Sequence, residues 1–215
     1  MCKAVLWDLD GTLVDSAEYH WMSWRDTLTA EGVAITYEQF LESFGQKNDR
    51  ILSNWLDNPS ADTITRIGDA KEAEYRRLAV AHGLMPLPGA AEWVARLHGA
   101  GWRQAVASSA PRLNVEVVLK ALALQDYFGA ITSAEDVRSG KPDPQVFLAA
   151  ASRLDVPASR CVVVEDAAAG VEAARRAAMH CVGVSRTERL HADISVASLE
   201  ELPAETFDKL LEPQP

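Results

Sequence analysis

Lys3-Ala4-Val5-Leu6-Trp7 runs directly into Asp8-Leu9-Asp10-Gly11-Thr12-Leu13-Val14-Asp15, and the reading of this stretch decides the fold. Its first half is a short, largely apolar run, the pattern of a strand buried on both faces. Two carboxylates stand where that strand should end. Residues two apart in extended chain point to the same side, so Asp8 and Asp10 face one site. Carboxylates held that close repel unless a cation or a proton lies between them. Gly11 permits a tight turn, and Thr12 can cap it. An Asp-Gly turn is common by itself, so the weight of the reading comes from the rest of the chain.

After Asp15 the pattern turns helical. Ser16 reads as an N-cap, with Glu18 in the first turn. Ala17, Trp21, Trp24 and Leu28 then stripe one helix face, and Gly32 ends it. Helical patterns follow over Tyr37–Ser43, Asp49–Leu56 and Ile64–Ala81, with Asn58-Pro59-Ser60 as a break. Ile64–Ala81 is dense in charge and weak in apolar stripe, which predicts a surface helix. At Pro86-Leu87-Pro88-Gly89 the grammar changes. Strand-like runs (Gln104–Ala107, Ala130–Thr132, Cys161–Val164 and Cys181–Val184) now alternate with amphipathic helices. That alternation predicts an α/β fold, a doubly wound, mostly parallel Rossmann-like sheet covered on both faces. The all-helical block is expected to be a domain inserted into it: 1–14 and 86–215 form the α/β core, and 15–85 a helical cap. The tail Glu212–Pro215 is expected to fray.

Bulk properties narrow the class. The 215 residues are 48% apolar and 24% charged, an ordinary globular balance. A net charge of −10 argues against non-specific binding of nucleic acid or anionic membrane. It also means that an anionic substrate needs positive charge placed locally. Cys2, Cys161 and Cys181 have no metal-ligand spacing. A sparse, odd cysteine count suits a reducing compartment, and no signal peptide is visible, so a cytoplasmic protein is expected; a monomer or weak dimer is expected as well. No apolar run approaches membrane-spanning length.

In open α/β sheets ligands bind beyond the carboxyl ends of the strands. Four such ends are legible: Asp8 and Asp10; Ser108-Ser109; the loop Ser139-Gly140-Lys141-Pro142-Asp143-Pro144; and Glu165-Asp166. Asp8, Asp10, Asp166 and Glu165 offer hard oxygen ligands suited to Mg²⁺. Ser108, with free N–H groups at a helix start, suits phosphate oxygens, and Lys141 supplies a point charge. A carboxylate can also serve as a covalent nucleophile toward phosphorus. Taken singly, Ser108 suits an N-cap, Lys141 a solvated loop and Glu165-Asp166 a helix start. Their joint placement at four successive strand ends points to one site.

The ordered set Asp8-Leu9-Asp10-Gly11-Thr12-Leu13, Ser108, Gly140-Lys141-Pro142-Asp143-Pro144 and Glu165-Asp166-Ala167-Ala168-Ala169-Gly170 resembles the four motifs of the haloacid dehalogenase superfamily. The helical insertion after the first motif is similar to the small cap of the subgroup that includes β-phosphoglucomutase and many small-metabolite phosphatases. The resemblance implies Asp8 as nucleophile and metal ligand. It makes Asp10 the general acid/base, with its main-chain carbonyl on Mg²⁺. Ser108 and Lys141 would hold the phosphoryl group, Asp166 would ligate the metal with Glu165 beside it, and His20 would couple the cap hinge to Asp10. Ser109, Lys47, Asn48 and Arg112 are further candidates for substrate contact; Arg50 lies close by. Three departures stand out. Ala167 replaces the usual hydroxyl residue, Asn48 aligns with a phosphate-gripping arginine of the mutase, and Ser109-Ala110-Pro111-Arg112 differs from the mutase's continuation. The expected function is therefore a Mg²⁺-dependent phosphatase of a small phosphorylated metabolite, such as a sugar phosphate, acting through an aspartyl-phosphate. β-Phosphoglucomutase-type transfer is the alternative. Asp10 disfavours a 2-haloacid dehalogenase, and the intact set of motif residues disfavours a catalytically idle protein.

Overall fold

The computed structural model describes residues 2–212; Pro213–Pro215, part of the tail expected to fray, lie outside the described residues. In chain order the elements are β1 (Ala4–Trp7), α1 (Ala17–Ala30), α2 (Tyr37–Ser43), α3 (Asn48–Trp55), α4 (Ala61–His82), α5 (Ala90–Gly99), β2 (Arg103–Ala107), α6 (Arg112–Ala121), β3 (Ala130–Thr132), α7 (Gln145–Arg153), β4 (Cys161–Glu165), α8 (Ala168–Arg176), β5 (His180–Val184), β6 (Ile194–Val196) and α9 (Thr206–Leu210). The strands form a six-stranded sheet in the order β3-β2-β1-β4-β5-β6, every pair parallel. Strand order therefore reverses between β1 and β4, and the crevice beyond that switch point is where such sheets bind ligands. Among the described residues no helix is long and apolar enough to cross a membrane.

Strand side chains alternate between two apolar layers. Val5, Trp7, Val106, Val162, Val164 and Val182 join one layer, while Ala4, Leu6, Ala105, Ala107, Cys161 and Val163 join the other. Both faces are thus buried, the reason the central strands β1 and β4 read as continuous apolar runs. One buried polar group sits in this core with its hydrogen bonds made: Gln104 accepts from Trp7 Nε1 and donates to the Val94 carbonyl, each at 2.9 Å. The strand Ile194–Val196 is not among those the sequence predicts. It is a half-buried three-residue edge strand, too short to stand out as a periodic run.

The chain leaves the sheet after Val14 and returns at Pro86, where these two residues form an isolated antiparallel bridge. Between them α1–α4 enclose an apolar centre of their own, with Trp24, Leu28, Phe40, Ile51, Leu52 and Ile67 buried. The surface placement expected for Ile64–Ala81 is overturned. On α4, Lys71, Glu72, Tyr75, Leu78 and Ala79 are all buried. Tyr75 and Ala79 pack into the sheet's own core, so α4 straddles the two apolar regions.

The loop after β3 is tied down by Asp136. Arg153 and Arg112 both reach its carboxylate, at 2.6 and 2.7 Å, and the Ser133 N–H and hydroxyl donate to it at 2.8 Å. Arg153 first, then Ser133 and Arg112, hold this carboxyl well below the usual carboxylate range against the opposing effect of burial. A depressed native pKa adds stability above the unfolded value of about 4, and that stability is lost as pH falls below it. Asp136→Asn should therefore lower the melting temperature at pH 7 by about 2–4 °C, the shift that accompanies about 1 kcal/mol in a chain of this size. The gap to the parent should close below about pH 4 in thermal melts; a gap of constant size across pH would remove the carboxylate's charge from the explanation.

Candidate active site

Strand register sets the site. Trp7 pairs with both Val106 and Val164, so the next residue of each strand emerges at one level: Asp8, Ala107 and Glu165. The Asp8 N–H donates to the Val164 carbonyl at 2.9 Å, which holds the chain to β4 as β1 ends. Lys141 enters from the loop before α7 and donates to both Asp8 Oδ1 and Glu165 Oε1. The other Glu165 oxygen accepts the N–H groups of Asp166 and Ala167 at 2.9 and 3.0 Å. Asp8, Glu165 and Asp166 each place one oxygen within 4.8 Å of the others.

Two glycines make room for these acids. A Cβ on Gly170 would run into the Glu165 carboxylate, and one on Gly11, whose φ is +84°, would strike the Asp166 carboxylate. Burial pushes the Asp8 carboxyl up to about 7; Lys141 opposes this, and Glu165 and Asp10 add to it. Asp166 is raised well above the carboxylate range by burial and then by Glu165 and Asp8. One ammonium thus bridges two of three crowded acids, and a divalent cation would relieve the excess negative charge. The donor set fits Mg²⁺, which prefers carboxylate oxygen. Asp8 and Asp166 are the better-placed donors, because both Glu165 oxygens already accept hydrogen bonds.

Asp10 lies outside that group. Its Oδ1 accepts from the Ser16 hydroxyl at 2.6 Å and faces His20 Nε2 at 3.2 Å. Ser16 does stand at the N-terminus of α1, but its side chain makes no cap; it serves Asp10 instead. The other His20 nitrogen, Nδ1, lies 2.8 Å from Lys71 Nζ. An ammonium only donates, so Nδ1 accepts and Nε2–H points at Asp10. Tyr75 stacks on the imidazole at 4.0 Å between ring centroids. Burial would raise the Asp10 carboxyl, but His20, Ser16 and Lys71 together hold it below its ordinary value.

Both clusters open into one cavity of about 250 Å³, with the sheet edge below and α1–α4 above. Ser108 and Ser109 line it. Ser108 is buried, and its Oγ accepts the Ala110 N–H at 3.0 Å, leaving the hydroxyl proton to donate. Asn48 also lines the cavity, with its amide on Glu72 at 2.7 Å. Two candidates turn elsewhere. Arg112 is not among the cavity-lining residues: its guanidinium is spent on Asp136 and the Ile131 carbonyl. Lys47 packs on Gly140 and donates to the Ala134 and Val137 carbonyls at 3.1 and 3.3 Å, so it bridges the helical block to the core rather than entering the cavity. Arg50 is exposed. Sequence reasoning misses Lys71, Glu72 and Asn114. The first two fall in phase with Ile64, Ile67, Tyr75 and Leu78, so a stripe counted by position rather than by polarity would find them.

A carboxylate site at the switch point of a parallel sheet, roofed by an inserted helical block, defines the class as a Rossmann-like α/β protein with a helical insertion over its site. The model of the haloacid dehalogenase-like hydrolase family matches residues 2–178. The chain belongs to this family. Suppressor of Quenching 1, a chloroplastic protein of Arabidopsis thaliana, is 37% identical over 191 residues, 86% of this chain, although the match spans 18% of that protein. The β-phosphoglucomutase of Bacillus subtilis (strain 168) is 33% identical over 213 residues, 94% of this chain and 92% of that one. Fructose-1-phosphate phosphatase YqaB of Escherichia coli (strain K12) is 31% identical over 180 residues, 84% and 95% of the two chains. Among solved structures, β-phosphoglucomutase from Clostridium difficile superposes with a TM-score of 0.88 at 29% identity, over 98% of this chain and 97% of that one.

Gly11→Ala should weaken Mg²⁺ binding by roughly 10- to 100-fold, because it displaces Asp166. Calorimetric titration of Mg²⁺ into parent and variant measures this, and equal affinities would take Asp166 out of the metal site.

Proposed function

We propose that this chain is a Mg²⁺-dependent phosphomonoesterase acting on a small phosphorylated metabolite, a sugar phosphate or a close relative. The observation that carries the reading is the pairing of two acid environments in one cavity. Asp8 is pinned by Lys141 beside Asp166, and Asp10 is held by Ser16 and His20. Asp8 attacks phosphorus and becomes the aspartyl-phosphate, while Asp10 hands a proton to the departing oxygen. Asp10, ionised again, then takes a proton from the water that hydrolyses the acyl phosphate. A carboxyl held below its ordinary value, as His20 and Ser16 hold this one, suits that base role. Ser108 and Lys141 hold the phosphoryl oxygens, the lysine as a point charge. Asp8, Asp166 and the Asp10 main-chain carbonyl would hold Mg²⁺, whose positive charge would offset repulsion between the anionic nucleophile and the anionic phosphate.

In this proposal residues 15–85 act as the cap over the core of 1–14 and 86–215, excluding water and choosing the leaving group. The partner is a small metabolite, with no role for nucleic acid or membrane. Transfer between sugar positions is the second reading, favoured by the match to the B. subtilis mutase over nearly the whole chain. Against it, Asn48 is engaged by Glu72, and Lys71 is committed to His20 and Glu72, so neither is left for a second phosphate.

Phosphate release from a panel of sugar and polyol phosphates should require Mg²⁺ and stop under chelation. Asp8→Asn should abolish it, and Asp10→Asn should slow it by roughly two to four orders of magnitude while leaving Mg²⁺ binding intact. Turnover in Asp8→Asn at the parental rate would overturn the mechanism. Conversion of β-glucose 1-phosphate to glucose 6-phosphate without free phosphate would favour the transferase.

A further inference from the structure

A line of buried polar groups crosses from the core into the helical block, and the scheme above uses only its far end. It begins at Asn114 on α6, which is 1% exposed. Arg76 of α4 donates to Asn114 Oδ1 at 2.8 Å. A guanidinium has no acceptor, so the amide is oriented with Nδ2 facing away. That Nδ2 donates to Glu72 Oε2. Glu72, also on α4 and 5% exposed, accepts at its other oxygen from Asn48 at 2.7 Å and Lys71 at 2.9 Å. Burial alone would raise the Glu72 carboxyl, but the charge of Lys71 and the hydrogen bonds from Lys71 and Asn48 hold it below its ordinary value. The Lys71 ammonium, 2% exposed, is shared between Glu72 and His20 Nδ1.

We propose that Asn114 and Glu72 are positioning residues for the proton-transfer step: Asn114 completes the hydrogen bonds of Glu72 only when the helical block sits on α6, and Glu72 then holds Lys71 against His20 so that the imidazole presents Nε2–H to Asp10. The inference rests on the reading of Asp10 as the acid/base. Its physical basis is that a buried carboxylate is intolerant of a missing donor. When the block lifts, Asn114 stays with the core, and Glu72 must find a donor in water or draw Lys71 further toward itself. Either way the ammonium no longer dictates which imidazole nitrogen carries the proton. Closure of the cavity and preparation of Asp10 thus become one event, and a substrate held under a half-closed cap meets an unprepared acid/base.

The test uses the full chain with Mg²⁺ and ¹⁵N-labelled histidine, the His20 ring signals being assigned by their loss in His20→Gln. In the parent, His20 should show the neutral Nε2–H pattern. In Asn114→Ala, and in the isosteric Glu72→Gln, which keeps the buried volume, the two ring-nitrogen shifts should converge as the tautomers mix. In both variants kcat for phosphate release should fall roughly tenfold while KM moves less than about threefold, a split that a purely structural contact would not produce. Unchanged His20 shifts in both variants, or parental kcat in Glu72→Gln, would overturn the proposal. A parent that releases no phosphate would sink the phosphatase reading instead, and the nitrogen shifts would still report on the positioning chain.

Discussion

Repulsion among buried carboxylates is the constraint that organises this molecule. Asp8, Glu165 and Asp166 gather at the end of the sheet around a single ammonium, Lys141. Away from bulk water such charges interact strongly, so the arrangement is tolerable only with compensation at short range. The surroundings supply it piecemeal. Lys141 bridges two of the acids, the N–H groups of Asp166 and Ala167 take the second oxygen of Glu165, and two glycines leave space where a methyl would collide. What is left uncompensated is the charge that a divalent cation would neutralise. A site that is costly for the fold by itself is in this way ready for a ligand that brings positive charge.

The same logic bears on the anionic substrate proposed for the cavity. With a net charge of −10 the protein repels phosphate at long range, so attraction has to be built within the cavity. Lys141 and Lys71 are its lysines among the described lining residues, and both are already shared with carboxylates. Neither is a free anion trap. Lys141 is tied to Asp8 and Glu165, and Lys71 to His20 and Glu72; in the proposed mechanism the first links phosphoryl binding to the nucleophile and the second links the helical block to the acid/base. Lys47, which by sequence looks like a third cation for the substrate, instead joins the block to the loop after β3, the loop that Asp136 secures from beneath.

Much of the core is legible in the order of residues alone. Strands buried on both faces read as continuous apolar runs, and polar residues that interrupt such runs mark strand ends. Asp8, Ser108, Lys141, Glu165 and Asp166 stand out in this way, and folding brings them to a common cavity. β6 escapes because three half-buried residues carry no period. α4 misleads because its polarity is a poor proxy for exposure. Lys71 and Glu72 are as buried as the apolar residues in phase with them, their charges satisfied by each other and by His20, Asn48 and Asn114. Arg112 is close in sequence to Ser108, yet its long side chain at a helix start follows the nearby Asp136 carboxylate on the neighbouring loop.

By itself, then, the amino-acid sequence determined the α/β alternation, the place of the helical insertion and the acids and lysine at the strand ends. Each of these is written in local pattern, in period and in punctuation. Only the tertiary structure decided which nitrogen of His20 faces Asp10, that Ser16 abandons its helix for that carboxylate, and that Asn114 on α6 reaches Glu72 across from it. Hydrogen bonds between residues 42 or 51 positions apart leave no period in the chain. They exist because folding removes water from both partners and leaves each the other's best remaining choice.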